Sequence, residues 1–95
     1  MRYVLLYSFV EDYRERRVPY REAHLKMAQE AHHRGDVLLA GAFADSPPGA
    51  LVVFRDDGKA AAEDYVRNDP YVANGIVTEW RIRPWTVAVG GEAGR

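Results

Sequence analysis

The order in which strand-like and helix-like patterns follow one another is the feature that most restricts how this chain can fold. Four segments have the continuous or alternating apolar pattern of strands: residues 2–9, 37–43, 50–54 and 76–83. Two segments have apolar residues at helical spacing: residues 19–34 and 59–67. Pro19 suits the first turn of a helix, and Gly35 suits the position after a last turn. The chain therefore predicts the order β-α-β-β-α-β, with a charged connection over residues 10–18.

This order is typical of split β-α-β, or ferredoxin-like, folds, and it predicts an α+β domain with a four-stranded antiparallel sheet. Right-handed crossovers place both helices on one face of that sheet. Because the first strand is apolar on both of its faces, we expect a second copy of the chain to cover the open sheet face, forming a homodimer. A chain of 95 residues leaves room for one core. We predict a single domain over residues 1–87 and a disordered tail over residues 88–95.

Composition excludes several classes of function. The formal net charge is −1, and acidic residues interrupt the cluster formed by Arg14, Arg16, Arg17 and Arg21. We interpret this cluster as solvated surface and expect no nucleic-acid partner. The absence of cysteine from the sequence excludes disulfides and thiol catalysis. No apolar run approaches the ~20 residues of a membrane-spanning helix, and the first residues have a strand pattern rather than a signal peptide. We therefore expect a cytoplasmic protein without a membrane partner.

His24 is a titratable ring within the apolar stripe of the first predicted helix. On a helical wheel it groups with Tyr20, Met27, Ala28 and Ala31. A histidine at such a position has two interpretations. It is either a neutral core residue held by hydrogen bonds, or a general acid or base.

Asp69 is the candidate partner of that ring. An aspartate before a proline is a good N-cap for a short helical turn. Because both helices lie on one face of the predicted sheet, the carboxylate is also in a position to reach His24 and set its tautomer. Both roles stay open at this point. Tyr7, late in the first strand, is placed to line a cavity around His24, and Arg21 lies on the flank of the helical stripe.

No pattern in the chain points to a metal or another cofactor, and we expect neither. A helical two-histidine metal site would need a second histidine four residues after His24, where Ala28 stands instead. His32 and His33 are adjacent in sequence, so their side chains do not face one site. The glycines do not form the cluster that a phosphate-binding loop requires.

Four short stretches, in this order and at these spacings, resemble the YciI-like protein family. They are Arg21-x-x-His24-Leu25, Leu39-Ala40-Gly41 followed by Asp45 and Gly49, Asp69-Pro70-Tyr71-Val72 followed by Gly75, and Ile82-Arg83-Pro84-Trp85. The resemblance implies a ferredoxin-like domain that pairs into a dimeric α+β barrel. It also implies an active site centred on a His–Asp pair, which maps to His24 and Asp69. Several family members have a serine just before the position of Arg21, where this chain has Val18-Pro19-Tyr20, so no role for that hydroxyl is carried over.

The residues and the resemblance together predict a small cofactor-independent enzyme of lyase or isomerase type. Related dimeric α+β barrel proteins include muconolactone isomerase and small cofactor-free oxygenases, and some YciI-like relatives are similar to enzymes that eliminate chloride from chlorinated hydroxyaromatics. We expect His24 to move a proton on a small cyclic or aromatic substrate and Asp69 to orient His24. We expect Arg21 to attract an anionic group, and Tyr7 and Tyr71 to contact the substrate. The alternatives are a non-catalytic small-molecule-binding or accessory dimer, and a cofactor-free oxygenase.

Overall fold

The computed structural model describes residues 1–91 and has the predicted order of elements. Its strands are β1 (Arg2–Phe9), β2 (Val37–Ala42), β3 (Gly49–Phe54) and β4 (Val77–Trp85). Its helices are α1 (Tyr13–Arg16), α2 (Arg21–His33), α3 (Lys59–Asn68) and α4 (Pro70–Ala73), with a 3-10 turn at Val18–Tyr20 before α2. The strands pair antiparallel in the order β2-β3-β1-β4. The predicted α+β fold with a four-stranded antiparallel sheet is thus confirmed.

One face of the sheet packs under the helices and forms the core. Leu5, Tyr7 and Phe9 of β1 share this face, because alternate residues of a strand point the same way, and all three are buried. The helices meet them through buried residues that include Ala31 of α2 and Tyr65 of α3. Since β1 lies between β3 and β4, Tyr7 stands near the middle of the sheet, beneath the helices.

The opposite face of the sheet carries an apolar strip without a helix over it. Val4 and Leu6 of β1 point to this face and are half-buried. Leu39 of β2 shares the face and is 71% exposed. Arg83 and Arg81 of β4 lie opposite Val4 and Leu6 and border the strip on one side. That a second copy of the chain covers this face stays a prediction.

The structure corrects the predicted connection over residues 10–18. This segment contains α1, because Tyr13 turns into the core and is only 7% exposed. Residues Val18–Tyr20 then form a separate 3-10 turn, so α2 begins at Arg21 rather than at Pro19. The predicted end of the helix is right, since Gly35 follows with φ +87°, in the left-handed region that glycine adopts most easily.

The last strand is longer than its apolar pattern indicates. It runs to Trp85, opposite Arg2, and includes Pro84. A proline is tolerated there because β4 is an edge strand, whose outer side makes no ladder hydrogen bonds. Because much of β4 is exposed, its last residues need not be apolar, and the apolar pattern therefore ends before the strand does.

The end of the chain lies partly outside the described residues. Residues 88–91 form neither helix nor strand, and residues 92–95 are outside the described part of the structure. The division into a domain over 1–87 and a disordered tail over 88–95 stays a prediction. Within residues 1–91, no helix combines the length and the apolar character needed to cross a membrane.

Candidate active site

The end of α3 brings a carboxylate to the inner side of α2. Asp69 has extended backbone (φ −78°, ψ 116°), as is usual for a residue before a proline. This conformation ends α3 and points the carboxylate inward, where Asp69 is only 1% exposed. His24 lies on the inner side of α2, with its side chain 16% exposed. The Nδ1 atom of His24 is 2.8 Å from Oδ1 of Asp69.

The carboxylate of Asp69 has three hydrogen-bond partners. The Tyr7 hydroxyl donates to Oδ2 at 2.8 Å, and the backbone N–H of Tyr71 donates to Oδ1 at 2.9 Å. His24 is the third partner, also through Oδ1. A buried carboxylate needs such partners, because loss of hydration is costly unless hydrogen bonds replace it. The same group therefore caps α4 and contacts His24, which are the two roles that the sequence left open.

The hydrogen bond to Asp69 determines which nitrogen of His24 is available to a ligand. An ionised carboxylate can only accept, so Nδ1 of the facing imidazole must carry the hydrogen. In the neutral ring, Nε2 then has the lone pair. No side chain among residues 1–91 forms a hydrogen bond to Nε2, and His24 lines a cavity. Nε2 is thus the atom that can exchange a proton with a molecule in that cavity.

Tyr71 holds the imidazole from its face. The rings of His24 and Tyr71 are stacked with centroids 3.9 Å apart and an angle of 6° between their planes. This stacking fixes the plane of the imidazole. Because the backbone N–H of Tyr71 is bound by Asp69, one carboxylate positions both stacked rings.

Burial keeps the tyrosine hydroxyls near Asp69 protonated. It raises the pKa of Tyr7 far above its usual range, and the negative charge of Asp69 and the hydrogen bond to it raise that pKa further. Burial and the charge of Asp69 likewise raise the pKa of Tyr65. The Tyr7 hydroxyl is therefore a neutral donor to Asp69 and has no role as a base near neutral pH.

The cavity beside His24 has a volume of about 220 Å³. Four aromatic residues line it together with His24: Tyr7, Phe9, Tyr65 and Tyr71. The apolar remainder of the lining has mostly small side chains or none: Ala28, Ala40, Gly41, Ala42 and Ala50, with Leu25 and Val52. The lining therefore combines aromatic rings and an imidazole with small apolar residues.

Four of the five predicted site residues line the cavity: His24, Arg21, Tyr7 and Tyr71. The fifth, Asp69, does not line it and contacts His24 through Nδ1. Their roles in binding and catalysis stay predictions. A further cation, Arg17, also lines the cavity, although the sequence placed it in a solvated cluster. Arg17 precedes the 3-10 turn at Val18–Tyr20 and lies outside α2, so the helical stripe of His24 did not indicate it.

The other titratable groups have different surroundings. Within residues 1–91, no three His, Cys, Asp or Glu side chains are grouped as a metal site would require. His32 has its Nδ1 atom 2.7 Å from the carbonyl oxygen of Val37, which ties the end of α2 to the start of β2. Among the residues that line the cavity, the nitrogen-containing side chains are those of His24, Arg17 and Arg21.

Comparison with known sequences agrees with this architecture. The family model described as YCII-related domain matches residues 1–86. Proteins named Protein YciI from Escherichia coli O6:H1 and Shigella flexneri are each 32% identical over 94 residues, covering 90% of this chain and 96% of their own length. An uncharacterized protein from Haemophilus influenzae is 28% identical over the same length, with the same coverage.

A solved structure with the same fold is that of 5-chloro-2-hydroxyhydroquinone dehydrochlorinase (TftG) from Burkholderia phenoliruptrix AC1100, in complex with 2,5-dihydroxybenzoquinone. The TM-score is 0.73, and the match covers 90% of this chain and 93% of the other. Sequence identity is 14%, a level at which the likeness establishes the fold alone.

Proposed function

This chain belongs to the family of YCII-related domain proteins, and we propose that it is a small cofactor-independent enzyme of lyase or isomerase type. Its substrate is a small cyclic or aromatic molecule, and its reaction is a proton transfer by His24. The observation that supports this most is the buried carboxylate of Asp69, 2.8 Å from Nδ1 of a histidine that lines a cavity. The dehydrochlorinase activity named for TftG and the ring compound bound to it favour the same class of substrate.

In the proposed reaction, Nε2 of His24 removes a proton from the substrate. The ring becomes an imidazolium, with Nδ1–H held by the negative charge of Asp69 and its face against Tyr71. In an elimination, the electron pair left on carbon expels a leaving group from the neighbouring atom. In an isomerisation, Nε2 returns the proton at another carbon. A base positioned in this way typically contributes ~10²–10⁴-fold in rate.

Arg21 serves in this scheme as an attraction for a negatively charged substrate. It lines the same cavity as His24, three residues earlier in the chain and on the same side of α2. A guanidinium group can hold a carboxylate or phenolate by two parallel hydrogen bonds. Negative charge that develops on the substrate after proton removal would be stabilised in the same way.

The test combines a ligand screen with a proton-exchange assay. Single-ring phenols, quinones, lactones and acids are screened by thermal shift on the wild type and on His24→Ala, and the stabilising compounds are incubated in D₂O. The proposal predicts exchange of a substrate C–H with solvent, seen by proton NMR, and at least about 100-fold slower exchange in His24→Ala. Circular dichroism serves as the control for folding. Equal exchange rates in the two proteins, or an unfolded variant, would contradict the assignment.

A non-catalytic small-molecule-binding dimer is the second candidate. The cap that Asp69 provides for α4 through Tyr71 favours it, since a structural role alone would account for the buried carboxylate. In that case His24→Ala lowers the melting temperature, and no bound compound exchanges protons in either protein. The exchange assay therefore separates the two candidates.

A further inference from the structure

Two guanidinium groups line the cavity without an acidic partner. Arg17 and Arg21 contribute to its wall, and neither forms an ion pair or a side-chain hydrogen bond within residues 1–91. The arginines at positions 34, 55 and 67 are paired with aspartates on the surface, and others such as Arg81 and Arg83 have no ion pair among residues 1–91. It is their position in the cavity lining that distinguishes Arg17 and Arg21. Like charges that line one cavity repel each other. Two cations that line the cavity without an acidic partner are therefore suited to binding an anion.

The position of Arg17 is held by aromatic rings rather than by an acid. Its guanidinium carbon lies 5.2 Å from the ring centroid of Tyr13. Tyr13 is buried and stacks on Phe9 with centroids 4.8 Å apart, and Phe9 lines the cavity. A cation–π contact orients the guanidinium group while leaving its charge uncompensated. The charge of Arg17 thus remains available to a ligand.

The positive charges of both guanidinium groups affect Tyr71, the residue whose ring stacks on His24. Burial raises the pKa of Tyr71, and the positive charges of Arg17 and Arg21 oppose that rise. Since Tyr71 stacks on His24, an anionic group bound by the two arginines lies near the imidazole. The remainder of the ligand then extends along the cavity wall.

The dimensions of the cavity limit the size of that remainder. A volume of about 220 Å³ exceeds the roughly 150 Å³ of a protein cavity that accepts benzene, and is below the ~300–1,000 Å³ typical of sites for drug-sized molecules. Besides Leu25 and Val52, the apolar lining consists mostly of alanines: Ala28, Ala40, Ala42 and Ala50. We call these four alanines the alanine wall, and their short side chains leave room for a flat ring. One six-membered ring with a small acidic substituent fits this space.

We infer that Arg17 and Arg21 together form a binding subsite for the acidic group of a single-ring organic anion, whose ring lies against the alanine wall beside His24. The inference rests on the proposed function only for the reaction that follows binding, since binding to the subsite can be measured without a reaction. The ligand class is a monocyclic organic acid, and Arg17 is a residue that determines specificity for it.

The test measures binding by isothermal titration calorimetry with benzoate, its neutral analogue benzamide, and the two-ring acid 2-naphthoate. Benzoate is expected to bind wild type at least about tenfold more tightly than benzamide, because a charge-assisted hydrogen bond contributes more than a neutral one. Arg17→Gln is expected to weaken benzoate at least about tenfold and to leave benzamide unchanged. 2-Naphthoate is expected not to bind.

Arg14→Gln is the matched control. Arg14 is three residues from Arg17 and also lies over the Tyr13 ring, at 5.8 Å, but it does not line the cavity. Its loss changes the net charge equally and should leave benzoate binding unchanged. Arg21→Gln gives an independent variant if Arg17→Gln does not fold. Benzoate binding that is unaffected by Arg17→Gln and Arg21→Gln, or equally reduced by Arg14→Gln, would overturn the subsite.

Two further results separate this inference from the proposed function. If benzoate binding depends on Arg17 while no ligand exchanges protons, the subsite stands and the catalytic role fails. Tight binding of 2-naphthoate would overturn the limit to one ring.

Discussion

A single carboxylate oxygen of Asp69 contacts both the backbone of Tyr71 and the ring of His24. The contact with Tyr71 is local, because a residue before proline is extended and its side chain caps the following turn. The contact with His24 requires in addition that α2 and α3 pack on the same face. The predicted fold placed both helices on one face, but no sequence pattern gives the distance between the two side chains. The sequence therefore could not choose between the two roles of Asp69.

The other residues of the site differed in how clearly the sequence indicated their positions. His24 was identifiable because helical periodicity places it in an otherwise apolar stripe. The hydrogen bond from Tyr7 to Asp69 joins residues 62 positions apart and depends on the register of β1, for which no local pattern exists. Arg17 was hidden because neighbouring acidic residues gave its segment the composition of solvated surface.

The buried hydroxyl of Tyr7 predicts that stability falls at alkaline pH. The folded-state pKa of Tyr7 is raised above that of the unfolded chain, so the unfolded chain releases this proton first. Above about pH 10, the free energy of unfolding should therefore fall with pH, by up to about 1.4 kcal/mol per pH unit for this group. Below that pH its contribution is fully present.

Urea denaturation of wild type and Tyr7→Phe, from about pH 8 to 11, measures this effect. Other titrating groups, including Tyr65, whose pKa is also raised, contribute equally to both proteins. The variant should show the shallower fall above about pH 10. Identical slopes would show that Tyr7 does not keep its proton in the folded state.

Among the helices and strands, α2 begins and ends for two different structural reasons. Its start is delayed to Arg21 by the 3-10 turn at Val18–Tyr20, and its end is marked by Gly35. The end was predictable because glycine has a specific conformational advantage there. The start and the short helix α1 were not, since four residues are too few for periodicity to be recognised.

Gly35→Ala tests the end of the helix that carries His24. A Cβ at this position would meet nothing within 4 Å, so the cost should arise from the left-handed backbone alone, at about 1–2 kcal/mol of unfolding free energy. Gly41→Ala is the matched control, because its Cβ is equally unobstructed and its φ is not positive. It should change stability by less than about 0.5 kcal/mol. Equal effects in urea denaturation would contradict the role given to Gly35.

At the scale of the whole molecule, the order of elements was sufficient to predict the fold. Few topologies are compatible with two β-α-β units in one small sheet once crossovers are right-handed. The order of elements does not predict what covers the open sheet face, since a single chain shows only that this face is apolar. We propose that a second copy covers Val4, Leu6 and Leu39, as exposed apolar strips of this kind mark interaction surfaces.

Leu39→Lys tests the proposed dimer. Leu39 is 71% exposed in one chain, so lysine should leave the folded monomer intact and disfavour burial in an apolar interface. Sedimentation velocity is expected to show a dimer for wild type and a monomer for the variant. Val18→Lys is the control, because Val18 is 69% exposed in the turn before α2, away from the open face. A variant Leu39→Lys that remains dimeric would exclude this face.

The proton of the neutral His24 ring can be located by ¹H–¹⁵N NMR of the imidazole nitrogens. We expect it on Nδ1, facing Asp69, with the lone pair on Nε2. Asp69→Ala removes the oxygen that Nδ1 faces, so in this variant the proton should no longer be fixed on Nδ1. A wild-type ring with its proton on Nε2 would rule out His24 as the base, because Nε2 would then have no lone pair with which to accept a proton from a substrate.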